Sequence, residues 1–321
     1  MSKIKNLYHP ENYHGHKRTR RYFEGWYYKV ISKDEQHAFA FIPGIAMDEK
    51  GDKQAFIQVL DGIKKTADYI KFDAADFKAK KDVFDLSILK NHFTANEINL
   101  DLENVSGGLR FKNQVPWSSS LLSPGIMGPF SFLPRMECYH GILSMDHDIE
   151  GTLNIRGERA DFNGGKGYME KDWGRSFPSA YIWMQSNHFS EPGISLKSSV
   201  AKIPYAGTRF IGFIAGLWLK DRLIEFTTYN GTKLRKSQVS EKTVQLVYEN
   251  RKFRLEINAQ RAIGTTLAAP ISGFMDGRIE ESMQSVLNIQ LTDKKAGNII
   301  FEDAGRNAGL EVAGKIEEII V

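Results

Sequence analysis

Much of the chain alternates apolar and polar residues with a period of two. Ile98, Leu100 and Leu102 alternate with Glu97, Asn99 and Asp101, and Phe253, Leu255 and Ile257 alternate with Arg254 and Glu256. Successive side chains of an extended strand point to opposite faces, so each pattern predicts a strand with one dry face. Shorter apolar runs predict further strands over 26–31, 38–42, 55–60, 83–89, 142–155, 195–202, 223–229, 244–248, 286–291 and 310–321. Gly, Asn and Asp punctuate them, as turn residues do. No stretch carries the spacing of a long amphipathic helix. The expected fold is therefore all-β, built as barrels or sandwiches with little helix. A length of 321 residues suggests two parts, and a division near Gly157 gives halves 1–157 and 158–321.

One run breaks the alternation. Between Asn113 and Pro134 there is no charged residue, yet Pro116, Pro124, Pro129 and Pro134 bar a continuous helix or a central strand. Its backbone should be largely irregular. Trp117, Leu121, Leu122, Ile126, Met127, Phe130 and Phe132 then have three uses: to cap a cavity mouth, to touch a membrane surface through 117–134, or to plug a core.

Composition changes this picture little. With 41% hydrophobic and 26% charged residues the chain is an ordinary globular one. A formal net charge of +4 gives no reason to expect a nucleic-acid partner, and the basic cluster Lys17, Arg18, Arg20 and Arg21 reads as a solvated face. The opening residues MSKIKNLYHPENYHGHK place charges and a proline where a signal peptide needs an apolar stretch. A single cysteine, Cys138, has no internal disulfide partner, which fits a reducing compartment. Both features point to the cytoplasm. The apolar run 210–219 is half of the ~20 residues that a spanning helix requires.

The densest chemistry lies in 167–189, GYMEKDWGRSFPSAYIWMQSNHF. If its second half is extended, Tyr181, Trp183, Gln185 and Asn187 share one face while Ile182 and Met184 share the other. An aromatic face with polar tips suits the wall of a cavity for a hydrophobic molecule. The alternative is ordinary packing, with the amides satisfied by backbone. FEGWYYK at 23–29 puts Glu24, Trp26 and Tyr28 on one face, and MECYHG at 136–141 separates Glu137 and Tyr139 from Cys138 and His140. Cys138 and His140 form at most a weak nucleophile pair, and a packed cysteine is the simpler reading. His14 and His16 lack the further ligands of a metal set, so neither metal nor cofactor is expected. Glu170, Lys171, Asp172 and Arg175 also fit an ion-paired turn.

Through FEGWYYK, the 167–189 segment and AGLEVAG at 308–314 the chain resembles the tocopherol cyclase family over nearly its whole length. The resemblance implies two lipocalin-like β halves around a prenyl-accepting cavity, distantly similar to hydroxyneurosporene-type carotenoid hydratases. It also implies closure of a chromanol ring on a prenylated hydroquinone, by protonation of an alkene and attack of a phenol oxygen on the tertiary cation. That chemistry needs a carboxylic acid that keeps its proton in apolar surroundings. Glu24, Glu170 and Asp172 are the candidates. It also needs aromatic faces for the cation, from Trp26, Tyr28, Trp173, Tyr181 and Trp183, with Gln185 and Asn187 as polar partners of the ligand. A non-catalytic carrier or sensor of a hydrophobic ligand would use the same cavity without the acid. An alkene hydratase would add water instead.

Overall fold

Two antiparallel sheets make up most of the structure, a computed structural model that describes residues 6–321. The first has twelve strands, in spatial order Thr66–Asp73, Lys53–Asp61, Ala38–Met47, Tyr22–Ile31, Gly165–Gly174, Cys138–Ile155, Val105–Lys112, Glu97–Asp101, Asn91–Thr94, Asp85–Ile88 and Phe77–Ala79. Glu158–Asp161 completes it beside Cys138–Ile155. The second has ten, in order Arg222–Thr227, Thr208–Leu219, Ser195–Tyr205, Ala180–Ser186, Asn298–Gly314, Phe274–Asp293, Phe253–Gln260, Thr243–Glu249 and Lys233–Val239, with Thr265–Ile271 beside Phe274–Asp293. Helix is limited to short turns such as Gly15–Lys17 and Gly128–Phe132. The all-β expectation holds. No helix among the described residues is long and apolar enough to cross a membrane.

The chain divides into two compact units. One holds the residues up to Phe177 together with Leu267–Arg278, and the other holds Pro178–Thr266 together with Ile279–Val321. The first unit runs past Gly157 because the Gly165–Gly174 strand is paired along its length with Tyr22–Ile31, from Phe23↔Gly174 to Ile31↔Lys166. Within that unit Gln58 exchanges hydrogen bonds with the Ala268 backbone, at 3.1 Å from Nε2 to the carbonyl and 2.9 Å from the Ala268 N–H to Oε1.

Alternation explains both cores. In the first unit Val30, Phe41, Ile57, Leu86, Phe93, Ile98, Leu109, Ile149 and Met169 form one buried cluster. These residues come from strands along nearly the whole sheet, so the sheet curls until one face closes around its own side chains. In the second unit Ile182, Met184, Leu196, Val200, Phe226, Leu246, Leu255, Ile289 and Leu310 do the same. The strand expected over 310–321 stops at Gly314, where φ is +79° and a Cβ would strike the Ser179 carbonyl. A short turn, Ile316–Glu318, follows it.

The uncharged run is irregular as expected, with one isolated bridge between Ser120 and Ser123 and the turn Gly128–Phe132. Trp117 and Ile126 are buried, whereas Leu121 and Leu122 stand out from the surface.

Candidate active site

Register decides which of the sequence-predicted residues meet. In the first unit Glu24 lies opposite Trp173, Trp26 opposite Lys171 and Tyr28 opposite Met169, whereas Gly25 faces Asp172 and Tyr27 faces Glu170. Directly paired residues of antiparallel strands share a face. Glu24, Trp26, Tyr28, Lys171 and Trp173 therefore lie on one face of the sheet, and Glu170 and Asp172 on the other. The three candidate carboxyls do not converge.

On the first face Glu24 is fully buried and acts as an acceptor. Lys171 Nζ lies 2.5 Å from its Oε1, the His14 N–H donates to both oxygens at 2.8 and 3.1 Å, and the Tyr22 hydroxyl donates to Oε2 at 2.5 Å. Both carboxyl oxygens are therefore engaged by groups of the protein itself. Lys171 donates further to the carbonyls of Pro10, at 2.8 Å, and Asn12. Its ammonium sits over the rings of Trp26, at 4.8 Å, and Trp173, at 4.7 Å. Burial lowers the Lys171 pKa, with Glu24 opposing that shift. Burial, with Lys171 adding to it, lowers that of His14 to about 2. Trp26 also donates from Nε1 to the Glu11 carbonyl at 2.9 Å. Tyr28 donates to the Thr94 carbonyl at 2.9 Å and stacks against Phe84 and Phe111. Here Trp26 and Trp173 clasp residues 11–14 and turn ring faces to the Lys171 cation, while Tyr28 packs into the core of the unit.

The opposite face carries a different cluster. The Cys138–Ile155 strand pairs His140 with Asp172 and Ile142 with Glu170. His140 Nδ1 lies 2.8 Å from Asp172 Oδ1, and its Nε2 lies 3.6 Å from Glu170 Oε2. The Tyr168 hydroxyl donates to the same Glu170 oxygen. His140 Nε2 is buried and makes no hydrogen bond. Nδ1 is thus occupied by Asp172, and Nε2 is turned toward Glu170. The result is an imidazole held between two carboxyl groups, one of them buried. One ligand atom from each of His140, Glu170 and Asp172 falls within 4.8 Å of the others, so these three, among the described residues, could hold a metal ion. His14 and His16 form no such group. Cys138 is no nucleophile in this setting. Burial, reinforced by Asp172, pushes its thiol pKa well up, and Sγ is 3.8 Å from Asp172 Oδ1.

In the second unit the expected alternation holds along the strand Ala180–Ser186 and stops short of Asn187. Ile182 and Met184 enter the core, while Tyr181, Trp183 and Gln185 share the other face with Ala201, Ser199 and Lys197 on one neighbouring strand and Ala313, Glu311 and Gly309 on the other. All four predicted binding residues are buried: Tyr181 and Trp183 at 8% and 6% exposure, Gln185 and Asn187 at 0% and 5%. Tyr181 donates to Glu311 Oε2 at 2.7 Å. Trp183 lies across Gly309, where a Cβ would come within 2.6 Å of the ring. Asn187 follows the strand end, with its Oδ1 3.0 Å from His188 Nδ1. Lys197, fully buried on this face, donates to Ser199 Oγ at 2.6 Å.

Tyr168 and Lys197 carry no signal in the local pattern, whereas His140 and Lys171 stand out there only as a weak nucleophile partner and an ion-pairing cation. For His140 a signal existed, since period two had already separated it from Tyr139. Its partner Asp172 is 32 residues away, however, and only strand pairing joins them.

Residues 110–314 match the model of the tocopherol cyclase-like family. The chain belongs to that family. The matched span contains His140, Glu170, Asp172 and the 181–185 face, and leaves out Glu24, Trp26 and Tyr28. Among curated tocopherol cyclases, the chloroplastic enzyme of Zea mays is 28% identical over 174 residues, 51% of this chain and 36% of that one. A probable chloroplastic tocopherol cyclase of Oryza sativa subsp. japonica is 27% identical over 179 residues, 51% of this chain and 37% of that one. The alignment thus spans about a third of either relative's length. Among solved structures, CghA with Sch210972 is 10% identical, with 92% of this chain and 89% of that chain covered and a TM-score of 0.57. That likeness is one of fold.

Proposed function

We propose that this member of the tocopherol cyclase-like family is a cofactor-free, acid-catalysed cyclase of a prenylated hydroquinone or a similar isoprenoid lipid. One observation carries the reading: a buried carboxyl, Glu170, stands 3.6 Å from a histidine nitrogen that has no hydrogen-bond partner and whose ring Asp172 orients. Cyclisation consumes one proton at carbon and releases one from oxygen, so it needs an acid and a base that can exchange.

Glu170 carries the reacting proton and Tyr168 steadies its carboxyl group. Transfer to the alkene makes a tertiary cation, and the phenol oxygen attacks it to form the C–O bond. The phenol proton passes to His140 Nε2, with Asp172 stabilising the imidazolium, and then returns to Glu170. Nothing is gained or lost over the cycle. Taken by itself, the second unit carries Tyr181, Trp183 and Gln185 on one sheet face, an aromatic and polar surface of the kind that suits a hydrophobic ligand. The hydrophobic ligand is therefore the partner expected of this chain.

The test is incubation with a prenylated hydroquinone, followed by chromatography and mass spectrometry of wild type, Glu170→Gln, His140→Asn, Asp172→Asn and Glu24→Gln. Glu170→Gln should lose about 10²–10⁴-fold in turnover, as removal of a general acid does. Glu24→Gln that still folds should turn over. A wild type that binds the quinol without converting it is a carrier, and a product heavier by one water marks a hydratase; either outcome rejects the proposal.

A further inference from the structure

We infer that the Leu121–Leu122 turn is a membrane-inserting tip, through which the first unit docks on a lipid bilayer. The inference rests on the reading above that the substrate is an isoprenoid lipid, which partitions into bilayers.

Ser120 and Ser123 exchange backbone hydrogen bonds at 3.0 and 3.1 Å, closing a tight turn whose two central residues are Leu121 and Leu122. Such positions favour Gly, Asn, Asp, Pro and Ser, which set the backbone or bond to it locally. Here both are leucines, 80% and 76% exposed, more than any other large hydrophobic residue among the described residues. Phe132, in the same uncharged run 113–134, is 44% exposed.

The base of the loop is fixed. Trp117 and Ile126 are buried, Val115 exchanges backbone hydrogen bonds with Met145 and Asp146, and Ser131 Oγ donates to the Pro124 carbonyl at 3.0 Å. The Tyr8 hydroxyl donates to the Leu121 carbonyl at 2.6 Å, at the turn itself. The leucines are therefore held out on a built support.

The geometry selects the occupant. A stable protein partner needs about 800 Å² of buried surface on each side, and a projecting apex of two leucines cannot supply that. A bilayer requires no complementary shape. It takes apolar side chains into the acyl boundary while neighbouring hydroxyls, here Ser118, Ser119, Ser120 and Ser123, remain at the headgroup level. With no charged residue from 113 to 134, insertion carries no ion into the interface.

The experiment is cosedimentation of the whole chain with phosphatidylcholine vesicles, with and without anionic phosphatidylglycerol, at low and at 0.5 M salt ~. Wild type should pellet with neutral vesicles at either salt concentration. Leu121→Ser/Leu122→Ser should reduce partitioning at least about tenfold with an unchanged thermal midpoint, because exposed side chains contribute little to folding. Leu89→Ser, at a 58% exposed leucine elsewhere in the unit, should bind as wild type. Binding retained by the double variant, binding seen only on anionic vesicles and abolished by salt, or a dimer that the double variant dissociates would each overturn the inference. Vesicle binding is read without turnover. A chain that docks through the tip but converts no quinol upholds this inference while the cyclase reading falls, and a chain that cyclises a detergent-dispersed quinol without docking does the reverse.

Discussion

Glu24→Gln removes one charge from the Glu24–Lys171 pair and keeps its shape. Both side chains are 0% exposed, so the surviving ammonium would be left in the interior with the Pro10 and Asn12 carbonyls and two indole faces but no counter-charge. Removing one partner of a buried pair costs about 3–5 kcal/mol. The amide oxygen of glutamine still accepts one hydrogen bond, which places the expected loss near the lower end, about 3 kcal/mol. At about 2–4 °C per kcal/mol for a unit of this size, the melting midpoint of the first unit should fall by roughly 6–12 °C. Thermal and urea unfolding of the full chain, followed by tryptophan fluorescence, measure it, since Trp26 and Trp173 both border the ammonium. Glu24→Gln/Lys171→Met should recover part of the loss, because an apolar replacement of a buried ion pair is often neutral or stabilising. A single variant as stable as wild type would refute the structural role of Glu24. A stable and inactive one would make Glu24 the acid after all.

Acid should weaken the first unit through His147. Burial lowers its pKa from 6.5 to about 3, so the folded state holds the ring neutral while the unfolded chain binds a proton below pH 6.5. The contribution is intact above pH 6.5 and is lost progressively down to about pH 3, at about 1.4 kcal/mol per pH unit. His147→Leu should flatten that part of the stability profile; an unchanged slope would mean that the ring is not protected. Gly309→Val should push Trp183 off its glycine and weaken hydrophobic ligand binding about tenfold or more in a fluorescence titration, and unchanged affinity would remove Trp183 from the binding face. His140→Asn should lower turnover while leaving the melting midpoint near that of wild type, and a parallel loss of stability would mark His140 as structural.

The fold was legible because period two survives without knowledge of partners. Alternation at 97–102 and 253–257 placed strands, and alternation at 181–185 assigned the Trp183 face correctly. What the sequence does not reveal is pairing. Glu24 and Glu170 both sit among aromatics in the chain, yet the register Trp26↔Lys171 and Tyr27↔Glu170 puts them on opposite faces. Backbone groups are hidden too: the carbonyls of Pro10, Glu11 and Asn12 hold Lys171 and Trp26, and nothing in those side chains announces it. His140 gains its chemistry from Asp172 on a neighbouring strand, which local spacing cannot express. The uncharged run likewise combines two fates, buried at Trp117 and Ile126 and exposed at Leu121 and Leu122, because its irregular backbone turns side chains one at a time.

The most direct measurement is conversion of a prenylated hydroquinone by the purified chain in heavy water, with mass analysis of the product after exchangeable protons are washed back. Internal cyclisation driven by a carboxylic acid predicts an isomer of changed retention time with one deuterium fixed on carbon, and loss of that product in Glu170→Gln. A product that carries added water, a cyclised product without carbon-bound deuterium, or full turnover in Glu170→Gln would contradict the account.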